Sequence, residues 1–306
     1  MTAKVIDGVQ IAQQVRDEVA ARVRDMARRR GVTPGLAVVL VGDNPASASY
    51  VRGKEKACQE VGIVTETFHL PGDATEGQVL ALVERLNSDS RYHGILTQLP
   101  FPPQVHEATV VRSLNPAKDV DGLHPYSVGL LAMGEPRFIP ATPYGIQQLL
   151  VRTGNDPAGK HVVVCGRSNL VGRPLALLLA QKQEGANATV TLCHTGTRDL
   201  AYFTRQADIL VAAMGRPWVI KGEMVKPGAV VIDVGINRVE DKTRRQGYRL
   251  VGDVDYDAVK EAAGAITPVP GGVGPMTVAM LLVNTLKAAQ LAEGRTDPTG
   301  APVASS

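Results

Sequence analysis

His161-Val162-Val163-Val164-Cys165-Gly166-Arg167-Ser168-Asn169-Leu170-Val171-Gly172-Arg173-Pro174 is the stretch on which the fold turns. Residues 161–165 form a short, β-branched apolar run closed by a glycine, the pattern of a buried strand. Residues 175–181 follow with helix-forming leucine, alanine and glutamine, so the chain passes from strand to helix through a glycine turn. Such a turn lets backbone N–H groups approach a pyrophosphate at a helix N-terminus. The spacing departs from the usual G-x-G-x-x-G, because Ser168 holds the middle glycine position and Gly172 comes one residue late. Spacing alone leaves a structural turn open. The flanking strand and helix favour a phosphate loop built on Gly166, Arg167 and Ser168.

The alternation extends both ways from this point. Downstream, 189–193, 209–213 and 230–234 read as strands, with a short one near 265–267. Upstream, Ala12, Val15, Val19, Val23 and Met26 recur on one helical face over 9–30, which Gly31 stops. A strand is expected at 36–41, helices at 47–61 and 80–86, and a strand at 94–100 that ends at Pro100. Strands alternating with helices give an α/β fold with parallel sheets covered on both faces. Gly122, Pro125, Gly129, Gly134, Pro136, Pro140 and Pro143 loosen the pattern over 122–145, which reads as the passage between two domains. A last helix is expected over 277–292, and 293–306 reads as a disordered polar tail.

The second strand after the glycine turn tells more about a cofactor. NAD-binding units place Asp or Glu at its end to accept from the ribose 2′-OH. This chain has Cys193-His194-Thr195 there, with no carboxylate. Arg167 and Thr195, with Arg198 nearby, suit a 2′-phosphate instead, which points to NADP. Solvated loop residues are the plainer alternative. Ile236, after the 230–234 strand, could pack on the nicotinamide ring or fill the core, and periodicity does not separate the two.

In the first half, Tyr50 and Lys54 stand one helical turn apart on the same face. A ring that can lie on a flat substrate beside an amine that can trade protons is a candidate active-site pair. An exposed helix with a snorkelling lysine is the alternative. Gln98 ends an apolar strand, where an amide must find partners, either structural or on a polar ligand. Lys118-Asp119-Val120-Asp121-Gly122 places two carboxylates in a turn, where aspartate usually caps backbone. Pro268-Val269-Pro270-Gly271-Gly272-Val273-Gly274-Pro275 makes a rigid loop poor in side chains, which permits close approach to a flat ligand or another domain.

Composition narrows the function classes. With 306 residues, two domains are expected. A net charge of +3, spread along the chain, argues against nucleic-acid binding, and Arg28-Arg29-Arg30 ends a helix, where cations suit the dipole. No apolar run reaches the length of about 18 residues that a membrane span requires. Residues 1–10 have no apolar signal core and bring in Asp7 early, so secretion is not expected. Cys58, Cys165 and Cys193 form no C-x-x-C pair and suit buried thiols in a reducing compartment, so the cytoplasm is the expected location. The histidines show no metal-ligand spacing, and no metal is expected.

Taken in order, several segments resemble the bifunctional methylenetetrahydrofolate dehydrogenase/methenyltetrahydrofolate cyclohydrolase family. They are Tyr50-Val51-x-x-Lys54 with Lys56-Ala57-Cys58, Gln98-Leu99-Pro100, Lys118-Asp119-Val120-Asp121-Gly122 and Gly166-Arg167-Ser168. Val231-Ile232-Asp233-Val234-Gly235, Val251-Gly252-Asp253-Val254 and the 268–275 loop complete the set, which covers residues 5–292. All of them in register make a specific match. The resemblance implies a folate-binding catalytic domain made of 1–121 and the helix 277–292, and a Rossmann-type NADP-binding domain over 140–270, usually in a homodimer. Folate would lie in the cleft between domains, stacked on Tyr50, with Pro270 and Gly271 also contacting it. Lys54 would serve the one-carbon chemistry, Gln98 would orient it, and Asp121 would hold the pterin. Gly166, Arg167, Ser168, Thr195 and Ile236 would bind NADP.

The activity implied is NADP-dependent oxidation of 5,10-methylenetetrahydrofolate to the 5,10-methenyl form, then hydrolysis to 10-formyltetrahydrofolate. The alternatives are another NADP-dependent dehydrogenase of similar architecture, or a catalytically silent NADP- or folate-binding protein. Thr97 and Phe101 beside Gln98, Ala141 in place of a frequent cysteine, and a long, charged 238–250 depart from the family pattern. None falls on a position with an implied chemical role.

The cofactor reading makes a first prediction. Arg167→Ala should weaken NADP selectively over NAD by roughly one to two orders of magnitude, because a charge-assisted contact contributes about 1.5–3 kcal/mol. Affinities for the two nucleotides, measured on the same preparation, check it; equal use of both by the unmodified protein refutes it.

Overall fold

The computed structural model describes residues 2–244 and 247–294. Along the chain the elements are β1 (Lys4–Val5), α1 (Gly8–Arg30), β2 (Gly35–Val41), α2 (Pro45–Val61), β3 (Val64–Leu70), α3 (Glu76–Ser88), β4 (Gly94–Thr97), α4 (Glu107–Ser113), α5 (Pro125–Ala132) and α6 (Ala141–Arg152). They continue with β5 (His161–Cys165), α7 (Gly172–Leu179), β6 (Thr189–Cys193), α8 (Leu200–Thr204), β7 (Ile209–Ala212), β8 (Val230–Asp233), β9 (Asn237–Glu240), β10 (Tyr248–Val251), α9 (Tyr256–Val259), β11 (Ala265–Ile266) and α10 (Val273–Ala292). The chain divides into two compact units, one of residues up to Ala12 with Thr142–Thr277, the other of Gln13–Ala141 with the chain from Val278 on. Of the tail expected at 293–306, residues 295–306 lie outside the described residues.

The unit holding the glycine turn has a six-stranded sheet in the order β1-β11-β8-β7-β5-β6, parallel throughout. Its central strands are almost wholly apolar and buried, as a parallel sheet covered on both faces requires. Domain membership at the chain start differs from the expected 1–121. Lys4 pairs with Ala265 and Val5 with Ile266, so the first residues extend this sheet. A two-residue strand carries too little pattern to be seen in sequence. β9 and β10 form an antiparallel hairpin, Asn237 opposite Val251 and Glu240 opposite Tyr248. This hairpin accounts for the long charged segment.

The other unit has a three-stranded parallel sheet, β3-β2-β4. Every residue of β2 is buried. β3 went unread in the sequence because Thr65, Glu66, Thr67 and His69 break its apolar run; as an edge strand it is only half-covered. The expected open passage at 122–145 contains α5 and the start of α6. Pro125 takes the first helical position, where its missing N–H costs nothing, and the His124 ring accepts from the Tyr126 N–H at 3.0 Å. Gly122 has φ +68°, and a Cβ there would sit 2.9 Å from the Pro140 nitrogen, so both its backbone conformation and its packing require glycine.

Asn284, on α10, ties this region together. Its side chain is buried and donates to the Val120 carbonyl at 2.8 Å and the Ile139 carbonyl at 2.9 Å. Asn284→Leu would leave both acceptors buried without those donors and should cost about 2–4 kcal/mol. A lower urea midpoint for the transition of this unit is the expected result. An unchanged midpoint would show that the carbonyls find other donors.

Candidate active site and nucleotide loop

α2 presents Tyr50 and Lys54 one turn apart, and the Asn44 side chain accepts from the Ser47 N–H at 3.3 Å at the start of that helix. The Tyr50 ring is 49% exposed, available to a ligand rather than spent in the core. Lys54 is half-buried, and its ammonium donates to Gln98 Oε1 at 3.0 Å. Gln98 is itself fixed: its N–H donates to the Val39 carbonyl at 2.9 Å and its Nε2 to the Leu99 carbonyl at 2.8 Å. The amide is therefore oriented with its oxygen toward the lysine. Leu99-Pro100 is a cis peptide bond.

Asp121 completes the group. Burial draws the Lys54 amine below the ordinary lysine range, and the Asp121 charge opposes that shift. Burial likewise pushes the Asp121 carboxyl up, and Lys54 opposes it. Desolvation disfavours the charge of each group, and each supports the charge of the other. Cys58, one turn beyond Lys54, is pushed up to about 12 by burial, so its thiol stays protonated and is no nucleophile.

The two carboxylates of the 118–122 turn have separate tasks. Asp119 is fully buried and accepts from the Leu123 N–H at 3.2 Å, the His124 N–H at 2.9 Å and the Ser127 hydroxyl at 2.6 Å. It caps the entry to α5. Lys118 is likewise engaged with backbone, donating to the Leu86 and Asp89 carbonyls at 2.9 and 2.7 Å. Asp121 alone of the three is coupled to the lysine on α2.

In the other unit, the turn after β5 is built by backbone approach. A Cβ on Gly166, which has φ +127°, would lie 2.0 Å from the Ala213 carbonyl oxygen, and one on Gly172 1.9 Å from the Gly166 carbonyl oxygen. The Ser168 hydroxyl accepts from the Val171 N–H at 3.1 Å, which tightens the turn into α7. Cys165 pairs with Cys193 across β5 and β6, so Arg167 and Thr195 stand at equivalent positions beyond the two strand ends. Arg167, Ser168, Thr195 and Arg198 are all exposed. Ile236 is 46% exposed and so does not fill the core. In the 268–275 loop, Val269-Pro270 is a cis bond, and a Cβ on Gly271 would meet Val9 and Pro268. Pro270 is exposed and Gly271 half-buried.

Sequence reading assigned no task to Asp233 and Asp253, and the structure gives them one. Asp233 accepts from the N–H groups of Gly235 at 3.0 Å, Asp253 at 2.9 Å and Val254 at 3.0 Å. Burial pushes its carboxyl up to about 7 against those donors. Asp253 accepts from the Met214 N–H, from Gly215 N–H at 2.9 Å, from Arg216 N–H at 3.0 Å and from Asn237 Nδ2 at 2.9 Å. The glycines of the two motifs permit this: a Cβ on Gly252 would strike Asp233 at 1.7 Å and one on Gly235 would strike Asp253 at 2.2 Å. Among the described residues, no group of three His, Cys, Asp or Glu could hold a metal ion, and no helix is long and apolar enough to cross a membrane.

Residues 6–121 match the family model of the tetrahydrofolate dehydrogenase/cyclohydrolase catalytic domain, and residues 140–293 match that of its NAD(P)-binding domain. The bifunctional protein FolD of Dehalococcoides mccartyi strain CBDB1 is 54% identical over 96% of this chain and 99% of that one. Its counterpart in Polaromonas naphthalenivorans is 56% identical over 95% and 99%. Among solved structures, the bifunctional enzyme FolD from Campylobacter jejuni superposes with a TM-score of 0.88 at 43% identity, covering 95% of this chain and 99% of that one. The Trypanosoma brucei enzyme, complexed with NADP cofactor and inhibitor, gives 0.91 at 40% identity, covering 96% and 99%.

Gly172→Ala tests the loop. The added methyl meets backbone, which cannot move aside as a side-chain tip could, so nucleotide affinity should fall by at least about tenfold, the equivalent of about 1.4 kcal/mol of strain. Titration calorimetry with NADP reads it, and wild-type affinity in the variant would show that the turn does not approach the ligand.

Proposed function

The chain belongs to the tetrahydrofolate dehydrogenase/cyclohydrolase family, and from that premise we propose that it oxidises 5,10-methylenetetrahydrofolate with NADP and hydrolyses the methenyl product to 10-formyltetrahydrofolate. The observation that carries this reading is the Lys54–Gln98 hydrogen bond of 3.0 Å, an amine depressed by burial and held by an oriented amide, with the Asp121 charge acting on it. The 40–56% identity of the relatives over nearly the whole chain supports it.

NADP fits the residues present. Gly166 and Gly172 leave bare backbone at the start of α7, with Arg167 and Ser168 exposed beside it and Thr195 at the end of β6 where no carboxylate stands. These residues would hold the pyrophosphate and the 2′-phosphate, and Ile236 the nicotinamide side. When bound, the cofactor accepts the hydride.

The chain's own residues account for the rest. The exposed Tyr50 ring gives a flat pterin a surface to stack on, and Asp121 can accept from its amino and N–H donors. Oxidation needs the methylene carbon held in place, and the folate nitrogen lone pairs assist hydride departure, so positioning is the main contribution. Hydrolysis makes a further demand: water must lose a proton as it attacks the methenyl carbon. Lys54 takes that proton in its neutral form, which burial favours, and Gln98 holds its nitrogen in line. A cytoplasmic homodimer belongs to the same reading, and sedimentation of the purified protein tests the dimer.

Lys54→Met should therefore lose hydrolysis by about 10²–10⁴-fold, the usual contribution of a general base. NADP affinity should stay within a few-fold. In the wild type the hydrolytic rate above buffer should rise with pH through a range below the ordinary lysine value of 10.5, as the neutral amine accumulates, and Lys54→Met should lack that rise. Methenyl absorbance decay, followed beside NADPH formation, measures both steps. Near-normal hydrolysis in a folded Lys54→Met protein would remove the lysine from the chemistry.

A further inference from the structure

The folate chemistry above gives Asp253 no part, yet Asp253 is fully buried and its carboxylate gathers the N–H groups of Met214, Gly215 and Arg216 together with the Asn237 amide. Successive backbone N–H groups converging on one anion form a nest, here filled by a side chain of the protein itself. The loop so held begins at Ala213, whose carbonyl oxygen is the atom a Cβ on Gly166 would strike. Asn237 directly follows the exposed Ile236. Asp233 in turn holds the Asp253 N–H, and its own N–H donates to the buried Thr267 hydroxyl at 2.8 Å, just ahead of the Pro/Gly loop.

The sheet order says what lies over this node. Thr195 stands at the end of the edge strand β6, and the Gly166 turn follows its neighbour β5. A dinucleotide with its pyrophosphate on the turn and its adenosine toward β6 extends its other half over the carboxyl ends of β7 and β8. The loops at those ends are 213–216 and 234–237, and Asp253 ties both. We infer that Asp253 is a positioning residue for hydride transfer, fixing these two loops as the wall that sets the nicotinamide half of the cofactor against the substrate carbon. The inference rests on the proposed dehydrogenase activity.

Asp253→Asn tests it, since one acceptor oxygen becomes an NH₂ facing donors already aimed at it. Titration with 2′,5′-ADP, which needs only the Gly166 turn and the β6 side, should give an affinity within about threefold of wild type. The kcat of NADP-dependent oxidation should fall about 10²-fold, the scale of a misplacement near 1 Å. Hydrolysis of methenyltetrahydrofolate supplied directly should be unchanged, and the deuterium isotope effect on oxidation of methylene-deuterated substrate should increase. A normal kcat in folded Asp253→Asn, or a parallel loss of 2′,5′-ADP binding, overturns the inference. Asn237→Ala keeps the three backbone donors and carries the test should Asp253→Asn not fold: the same split at about tenfold is expected, and an unchanged kcat overturns the inference. A wild type that oxidises no methylenetetrahydrofolate refutes the functional reading itself, whereas a normal variant beside an active wild type defeats only this inference.

Discussion

Backbone N–H groups that leave a parallel strand at its carboxyl end lose their ladder partners, and buried donors without acceptors are costly. Buried carboxylates meet them repeatedly in this protein. Asp119, at an isolated bridge with Ile95 beside β4, serves the turn into α5. Asp233, the last residue of β8, serves Gly235, Asp253 and Val254. Asp253 serves the loop after β7 and the start of β9. The same ends of strands are where open α/β sheets bind ligands, so the groups that satisfy the backbone also shape the loops a ligand meets.

Glycine makes this arrangement possible. Gly235 and Gly252 abut the carboxylates of Asp253 and Asp233 at distances where no Cβ fits. Gly166 and Gly172 pack backbone against backbone in the same way. The energetic logic is that a hydrogen bond inside a low-dielectric interior is strong when complete and a liability when any member is missing. Close approach secures completeness, and the cost is that almost no substitution is tolerated at these positions.

Asp121 differs from Asp119, within one turn of chain, in what answers its charge. Asp119 has backbone and hydroxyl donors, so its charge is spent on holding α5. Asp121 faces a cation whose own charge is discouraged by burial. Burial pushes the Asp119 carboxyl up to about 6 against fixed dipoles, whereas the group that opposes the shift of Asp121 is the Lys54 amine. Gln98 belongs with the second group, because two contacts to main chain fix its amide and leave its oxygen directed at Lys54.

Much of this was legible in the sequence, and the parts that were not share a cause. The strand–turn–helix at 161–179, the α/β class, and the pairing of Tyr50 with Lys54 follow from periodicity and spacing, which are local. The edge strand β3 and the two-residue β1 escaped because their stability comes from partners far along the chain, β2 and β11, and the helix α5 because its entry is held by the nearby Asp119 carboxylate rather than marked by periodicity. In the same way, Asp119 and Asp121 are alike as letters, and only the fold gives the first to backbone and hydroxyl donors and sets the second in the field of Lys54. Ile236 could have been core or surface until burial placed it at the surface. The sequence by itself determined which residue types were available for folate and nucleotide chemistry, because side-chain chemistry is a property of each residue. The tertiary structure alone decided which carboxylates support loops and which one answers the lysine, because hydrogen-bond partners and desolvation exist only once distant segments meet.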